Sequence, residues 1–156
     1  MKQNHVIGAA ERSWLIFHLA GQAYAVPLAQ VSEVIRDGEV TPVPGAAPDL
    51  LGIRHLRGRI VPVLDGRLRL GLELDAPVDA AMARIVVLCH REHLVGLRVD
   101  AVGDLLEVAE PAQVPPPGRA ARVDDPVRGV VGWQGDFVAL LEVRGLCRLP
   151  DEVMAA

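Results

Sequence analysis

Short apolar runs broken by turn residues at close spacing fill the chain from residue 13 onward, the signature of an all-β fold. SWLIFHL (13–19) reads as a strand, Ala20-Gly21-Gln22 as its turn and AYAVPL (23–28) as the returning strand. In AQVSEVIR (29–36), Val31, Val34 and Ile35 fall at helical spacing and predict one or two helical turns. EVTPVPG (39–45) is extended, because its prolines exclude helix and favour an edge or a loop. APDLLG (47–52) suits a single turn. IRHL and IVPVLD form a hairpin through Arg57-Gly58, in which Pro62 points to an edge strand or a bulge. GRLRLGL (66–72) suits a short helix.

The second half repeats the style. RIVVLCH (84–90) turns at Arg91-Glu92 into HLVGLRVDAV (93–102), which is followed by DLLEVAE (104–110). PAQVPPPG (111–118) is a rigid loop. RGVVGW and DFVALLEV pair across Gln134-Gly135, and RGLCRL (144–149) closes as a helical turn. A shift of 77 residues lays GIRHLRGRIVPVLDGR over GVVGWQGDFVALLEVR, with Gly58 meeting Gly135 and Asp65 meeting Glu142. A weaker echo sets V-x-x-V at Val31/Val34 against Val99/Val102. The chain therefore reads as a doubled β unit. Each unit has about five short strands, too few for a thick core of its own, so two barrels pack together and share one apolar interior. The predicted organisation is a lead-in over 1–11, one domain over 12–150 made of two barrel subdomains with a connector near 73–83, and a tail over 151–156.

Composition narrows the function. The 156 residues carry a net charge of −4 and five aromatic side chains, a poor basis for binding nucleic acid. Lys2 is the only lysine; the excess of Arg reads either as a supply of bidentate donors or, with Ala, Gly and Pro also abundant, as the mark of a G+C-rich genome. Cys89 and Cys147 stand alone without a C-x-x-C motif, consistent with a reducing compartment. No signal peptide opens the sequence and no run approaches the roughly 20 apolar residues of a membrane helix. A soluble intracellular protein is expected, without direct membrane insertion.

Candidate chemistry is sparse. His90 and His93 form H-x-x-H at a hairpin tip, where a three-residue offset is not expected to aim both rings at one point, and no further ligands follow at zinc spacing. Ser13 and Ser32 are the only serines, and neither lies in G-x-S-x-G. Cys89 sits in an apolar strand, a poor place for a thiolate. Asp65, Asp100, Asp104 and Glu107 offer carboxylates for a small hydrolase, although each also reads as a strand end or a solvent-facing residue. Asp124-Asp125 precedes a proline and reads as a turn; no phosphate-binding glycine loop occurs. No catalytic residue, metal or cofactor is expected. Surface recognition by a hairpin-rich barrel remains. At the Arg57-Gly58-Arg59 tip, glycine permits the tight turn, while Arg57 either solubilises the hairpin or locks its planar donor fork onto a carboxylate.

FHLAGQAYAVPLAQVSEVI, TPVPGAAPDLLGIRHLRGRIVPVLD, RIVVLCHREHLVGLRVDAV and VRGVVGWQGDFVALLEV, in that order, resemble the CheW family of chemosensory scaffold proteins. The likeness covers about residues 13–150, and GIRHLRGRIVPVLDGR is its most specific piece. It implies two SH3-like five-stranded barrels with short helical turns and no enzymatic activity. It implies a non-enzymatic adaptor that couples the cytoplasmic helical tip of a chemoreceptor to the regulatory domain of a CheA-type histidine kinase and helps build signalling arrays. Weak self-association and a cytoplasmic location, with recruitment to membrane-associated receptor arrays, follow. The receptor tip is expected between the barrels. Matching partner-binding positions are Val31, Glu33, Val34, Arg57, Gly58, Val99 and Val102, with Glu33 and Arg57 expected to pair. His55, Gly66 and Glu142 depart from the family's usual Asn, Leu and Asp. An adaptor of a non-flagellar pathway, serving type IV pili or gene regulation, would look the same.

Overall fold

A computed structural model describes residues 12–74, 77–109 and 126–148. The predicted lead-in, the 111–118 loop, the Asp124-Asp125 turn and the tail lie outside them. Ten strands run in order: β1 (Ser13–Leu19), β2 (Gln22–Pro27), β3 (Val31–Arg36), β4 (Leu50–Leu56), β5 (Arg59–Asp65), β6 (Arg84–His90), β7 (His93–Val99), β8 (Ala101–Glu107), β9 (Val127–Trp133) and β10 (Asp136–Leu141). A 3-10 turn covers Leu28–Gln30, and two single-turn helices follow the later hairpins, α1 (Gly66–Arg69) and α2 (Val143–Leu146).

The strands form two five-stranded sheets, β8-β1-β2-β10-β9 and β3-β6-β7-β5-β4. These are the two SH3-like barrels, called here barrel 1 and barrel 2. Exchanging β1 with β6, β2 with β7, β3 with β8, β4 with β9 and β5 with β10 converts one order into the other. The duplication is thus complete, but the two halves interleave: barrel 1 joins β1 and β2 to β8–β10, whereas barrel 2 holds β3–β7. This corrects the expectation of a connector near 73–83 between subdomains. That segment joins β5 to β6, both in barrel 2. Two mixed pairs, β2–β10 and β5–β7, are parallel; the remaining pairs are antiparallel.

Three apolar clusters explain why the central strands are nearly continuous runs of large side chains. Trp14, Ile16, Val138 and Leu140 fill barrel 1. Val61, Val63, Ile85 and Val87 fill barrel 2. The alternate residues of the same strands, Leu15, Phe17 and Leu19 on β1, Val86 and Leu88 on β6, and Ala139 and Leu141 on β10, meet in the shared core. A strand buried on both faces has no polar alternation to show. Each large side chain removed from water here is worth about 1.5–3 kcal/mol.

A partly buried ion pair fastens the crossing from barrel 2 to barrel 1. Asp100 stands between β7 and β8; its Oδ2 accepts from Arg67 Nη2 at 2.7 Å and from the Ala20 amide at 2.7 Å. Arg67 is 5% exposed and also donates to the carbonyls of Leu74 and Pro77. One guanidinium thereby ties α1, the 73–83 segment and the barrel crossing together.

Two local expectations change. Residues 31–36 are a strand, not helical turns. Pro62 lies in β5, an interior strand, without a bulge at its pair with Ile53. The sheet tolerates it because Ile53 spends its own N–H and C=O on Thr41, leaving Pro62 in a pair that needs no donor from it. Parallel pairing with β7 begins one residue later, at Val63.

Candidate functional site: two bulged edge strands and a hairpin tip

β3 and β8 are the outer strands of their sheets and occupy equivalent places. Each carries an irregularity in register: Val31 opposes Leu88 while Glu33 opposes Val87, and on the other side Leu15 opposes Leu105 while Phe17 opposes Val102. Paired residues project to the same face of a sheet, and a one-residue bulge brings positions i and i+3 onto that face. Val31 and Val34 therefore lie on the side of Leu88 and Val86, and Val102 and Leu105 on the side of Phe17 and Leu15. All four partners belong to the shared core. Val31 and Val102 pack partly buried against that core, while Val34 and Leu105 are 39% and 56% exposed. The edges of the inter-barrel seam thus carry two related apolar pairs.

Glu33 turns to the opposite side of β3, beside the β4–β5 hairpin tip. Arg57 Nη2 donates to Glu33 Oε1 at 3.2 Å, with the Arg57 side chain 78% exposed and that of Glu33 24% exposed. The expected pair is formed. Arg57 and Gly58 take φ values of 51° and 78°, the left-handed geometry of a two-residue hairpin turn. Next to them Arg59 Nη2 donates to the Glu92 carbonyl at 3.1 Å, drawing the β6–β7 turn against the same tip.

Of the seven predicted positions, Glu33, Arg57 and Gly58 gather at this tip, and Val31, Val34 and Val102 line the seam. Val99 does not belong with them. It is 1% exposed within the shared core and presents no surface to a partner. The error is one of register. β6 and β7 begin 71 residues after β1 and β2, at Arg84 and His93 against Ser13 and Gln22. The same shift sets Val31 over Val102 and Val34 over Leu105, not over Val99 and Val102. Leu105 was missed for that reason, and the correct shift would have found it.

The chemical alternatives are answered by particular contacts. Asp100 gives its carboxylate to Arg67 and the Ala20 amide, so it is not a free base for a hydrolase. Asp104 and Glu107 are exposed on β8, and Asp65 caps α1 by accepting from the Arg67 amide at 2.9 Å. His90 and His93 are direct cross-strand partners, because a two-residue turn sets positions i and i+3 opposite each other. Among the described residues no group of three metal-ligating side chains converges, and no helix is long and apolar enough to cross a membrane. Burial pushes the Cys147 thiol up to about 12, against a smaller opposing pull from Arg69.

The family model described as CheW-like domain matches residues 13–151. The chain is 32% identical over 133 residues to "Chemotaxis protein CheW" of Rhizobium meliloti, covering 85% of this chain and 84% of that protein. It is 34% identical over 96 residues to the protein of the same name from Bacillus subtilis, 62% of this chain and 60% of that one. "Protein PilI" of Pseudomonas aeruginosa is 33% identical over 95 residues, 60% of this chain and 52% of that protein. The crystal structure of scaffolding protein TtCheW from Thermoanaerobacter tengcongensis aligns with a TM-score of 0.76 at 26% identity, covering 89% of this chain and 94% of that one.

Proposed function

The chain belongs to the CheW-like domain family, and from that premise we propose that it is a non-enzymatic chemosensory adaptor whose barrel seam and hairpin tip hold its partners. The partners are the cytoplasmic helical tip of a chemoreceptor and the regulatory domain of a CheA-type histidine kinase. The work is done in the cytoplasm, at membrane-associated receptor arrays, where weak self-association would add to the lattice. One observation supports the reading: Val31 and Val34 on β3, and Val102 and Leu105 on β8, are related apolar pairs on the faces that turn toward the core shared by the barrels. An amphipathic helix recognises a groove through such apolar anchors. The Arg57–Glu33 pair adds orientation more than energy, since an exposed pair contributes about 0–1 kcal/mol.

Co-sedimentation with receptor tips and kinase regulatory domains from the same genome tests this directly. Arg57→Glu is expected to lose coupling while circular dichroism and melting stay near wild type. Full retention of both partners by that variant would remove Arg57 from the site. A second reading, an adaptor of a pathway controlling type IV pili or gene regulation, is compatible with the likeness to Protein PilI. Pulldown with each candidate receptor separates the two.

A further inference from the structure

The two barrels are related copies, yet their tips carry opposite charge. At the barrel 2 tip, the β4–β5 and β6–β7 turns are joined by the Arg59–Glu92 contact and flanked by Glu33. Arg57, Arg59 and Arg91 are all exposed there, against the carboxylates of Glu33 and Glu92. The related tip of barrel 1 is read off through the two shifts. Arg57 and Arg59 become Gln134 and Asp136; Arg91 and Glu92 become Ala20 and Gly21; Glu33 becomes Asp104. Two carboxylates and no cation stand at those positions. His90 and His93, which border the basic tip, become Leu19 and Gln22.

We infer that the barrel 2 tip is a docking surface for an acidic segment of a partner protein, and that the inverted charge of the barrel 1 tip excludes that segment from the related site. Backbone shape alone would not distinguish the tips, because the four positive-φ turn positions match: 51° and 78° at Arg57-Gly58 against 50° and 78° at Gln134-Gly135, and 50° and 68° at Arg91-Glu92 against 50° and 80° at Ala20-Gly21. Charge breaks the tie, as specificity through repulsion requires. Two of the three guanidinium groups are held in place, Arg57 by Glu33 and Arg59 by the Glu92 carbonyl, with planar donor forks suited to carboxylates. A long polyanion is a poorer occupant, since the chain as a whole carries a charge of −4. The inference rests on the adaptor reading, which already places partners at this hairpin tip, and adds to it the charge of the bound segment and the reason the related tip is refused.

The test uses the full chain, nitrogen-15 labelled, titrated with a hexaglutamate peptide. Amide shifts are expected at residues 55–60 and 90–93 and not at 19–22 or 132–137. Raising the salt to about 0.3 M weakens binding between exposed charges. Arg91→Glu, on an exposed turn, is expected to lower affinity about fivefold or more. Gln134→Arg combined with Asp136→Arg is expected to create a second site on barrel 1. Unchanged affinity in the Arg91→Glu variant, equal shifts at both tips, or binding to anionic phospholipid vesicles in place of the peptide overturns the inference. The peptide readout does not involve receptor or kinase. Failure of the adaptor reading appears instead as absence of co-sedimentation with either.

Discussion

Gly66 stands where a side chain has no room. A Cβ there would lie 2.6 Å from the Arg98 carbonyl and 2.9 Å from Leu19 Cδ2. The departure from the family's leucine is therefore enforced by this chain's own packing, and Gly66→Ala is expected to cost about 1–3 kcal/mol in urea unfolding. Glu142, the other departure in the repeat, makes no side-chain cap on α2 and pairs with Arg128 instead, whereas Asp65 caps α1. One added methylene changes the partner. The pairing of Arg57 with Glu33 was legible because the resemblance named both residues; the Arg67–Asp100 pair was not, since nothing in the spacing of a loop aspartate reveals a buried guanidinium. Breaking that pair by Asp100→Asn is expected to destabilise by roughly 3–5 kcal/mol, read in the same unfolding experiment. Cys147 gives a pH signature. Burial holds its folded-state pKa at about 12, above the ordinary thiol value of 9.0, so both states keep the proton below pH 9. As pH climbs from 9 toward 12 only the unfolded chain releases it, and stability falls. A Cys147→Ala variant should lose that part of the alkaline slope.

Among the elements, the most apolar strands were the easiest to read. β1, β6 and β10 are buried on both faces, so their unbroken runs of large side chains left little choice. β3 was misread because a bulged edge strand and a helix both bring positions i and i+3 to one face, and Val31 with Val34 fits either. Pro62 was misread because its pair with Ile53 depends on Thr41, a partner eight or more residues outside the hairpin. The seam therefore became visible only once register was known. Leu105 gives the sharpest test at this scale. It is exposed, so Leu105→Asp should leave the melting temperature within a few degrees of wild type, yet abolish receptor co-sedimentation if β8 lines the docking seam as β3 does. Retained co-sedimentation would confine docking to β3.

In the whole molecule, doubling was legible and interleaving was not. Sequence similarity between halves reports ancestry, while strand pairing across the shared core decides which half each barrel takes its strands from. Neither half contains a complete barrel, so a chain divided within 77–83 should yield two fragments that stay unfolded apart and regain a native spectrum when mixed. The intact protein should unfold in one transition, with fluorescence and circular dichroism coinciding, because the shared core draws on both barrels. Interleaving also imposes an order on the protein's birth at the ribosome. Every strand of barrel 2 has emerged once residue 99 leaves the exit tunnel, whereas the opening hairpin must wait for residues 101–141 before its sheet is complete. During that interval β1 and β2 stand as apolar strands still short of their sheet neighbours, which makes the domain's opening hairpin the place where a chaperone has most to do.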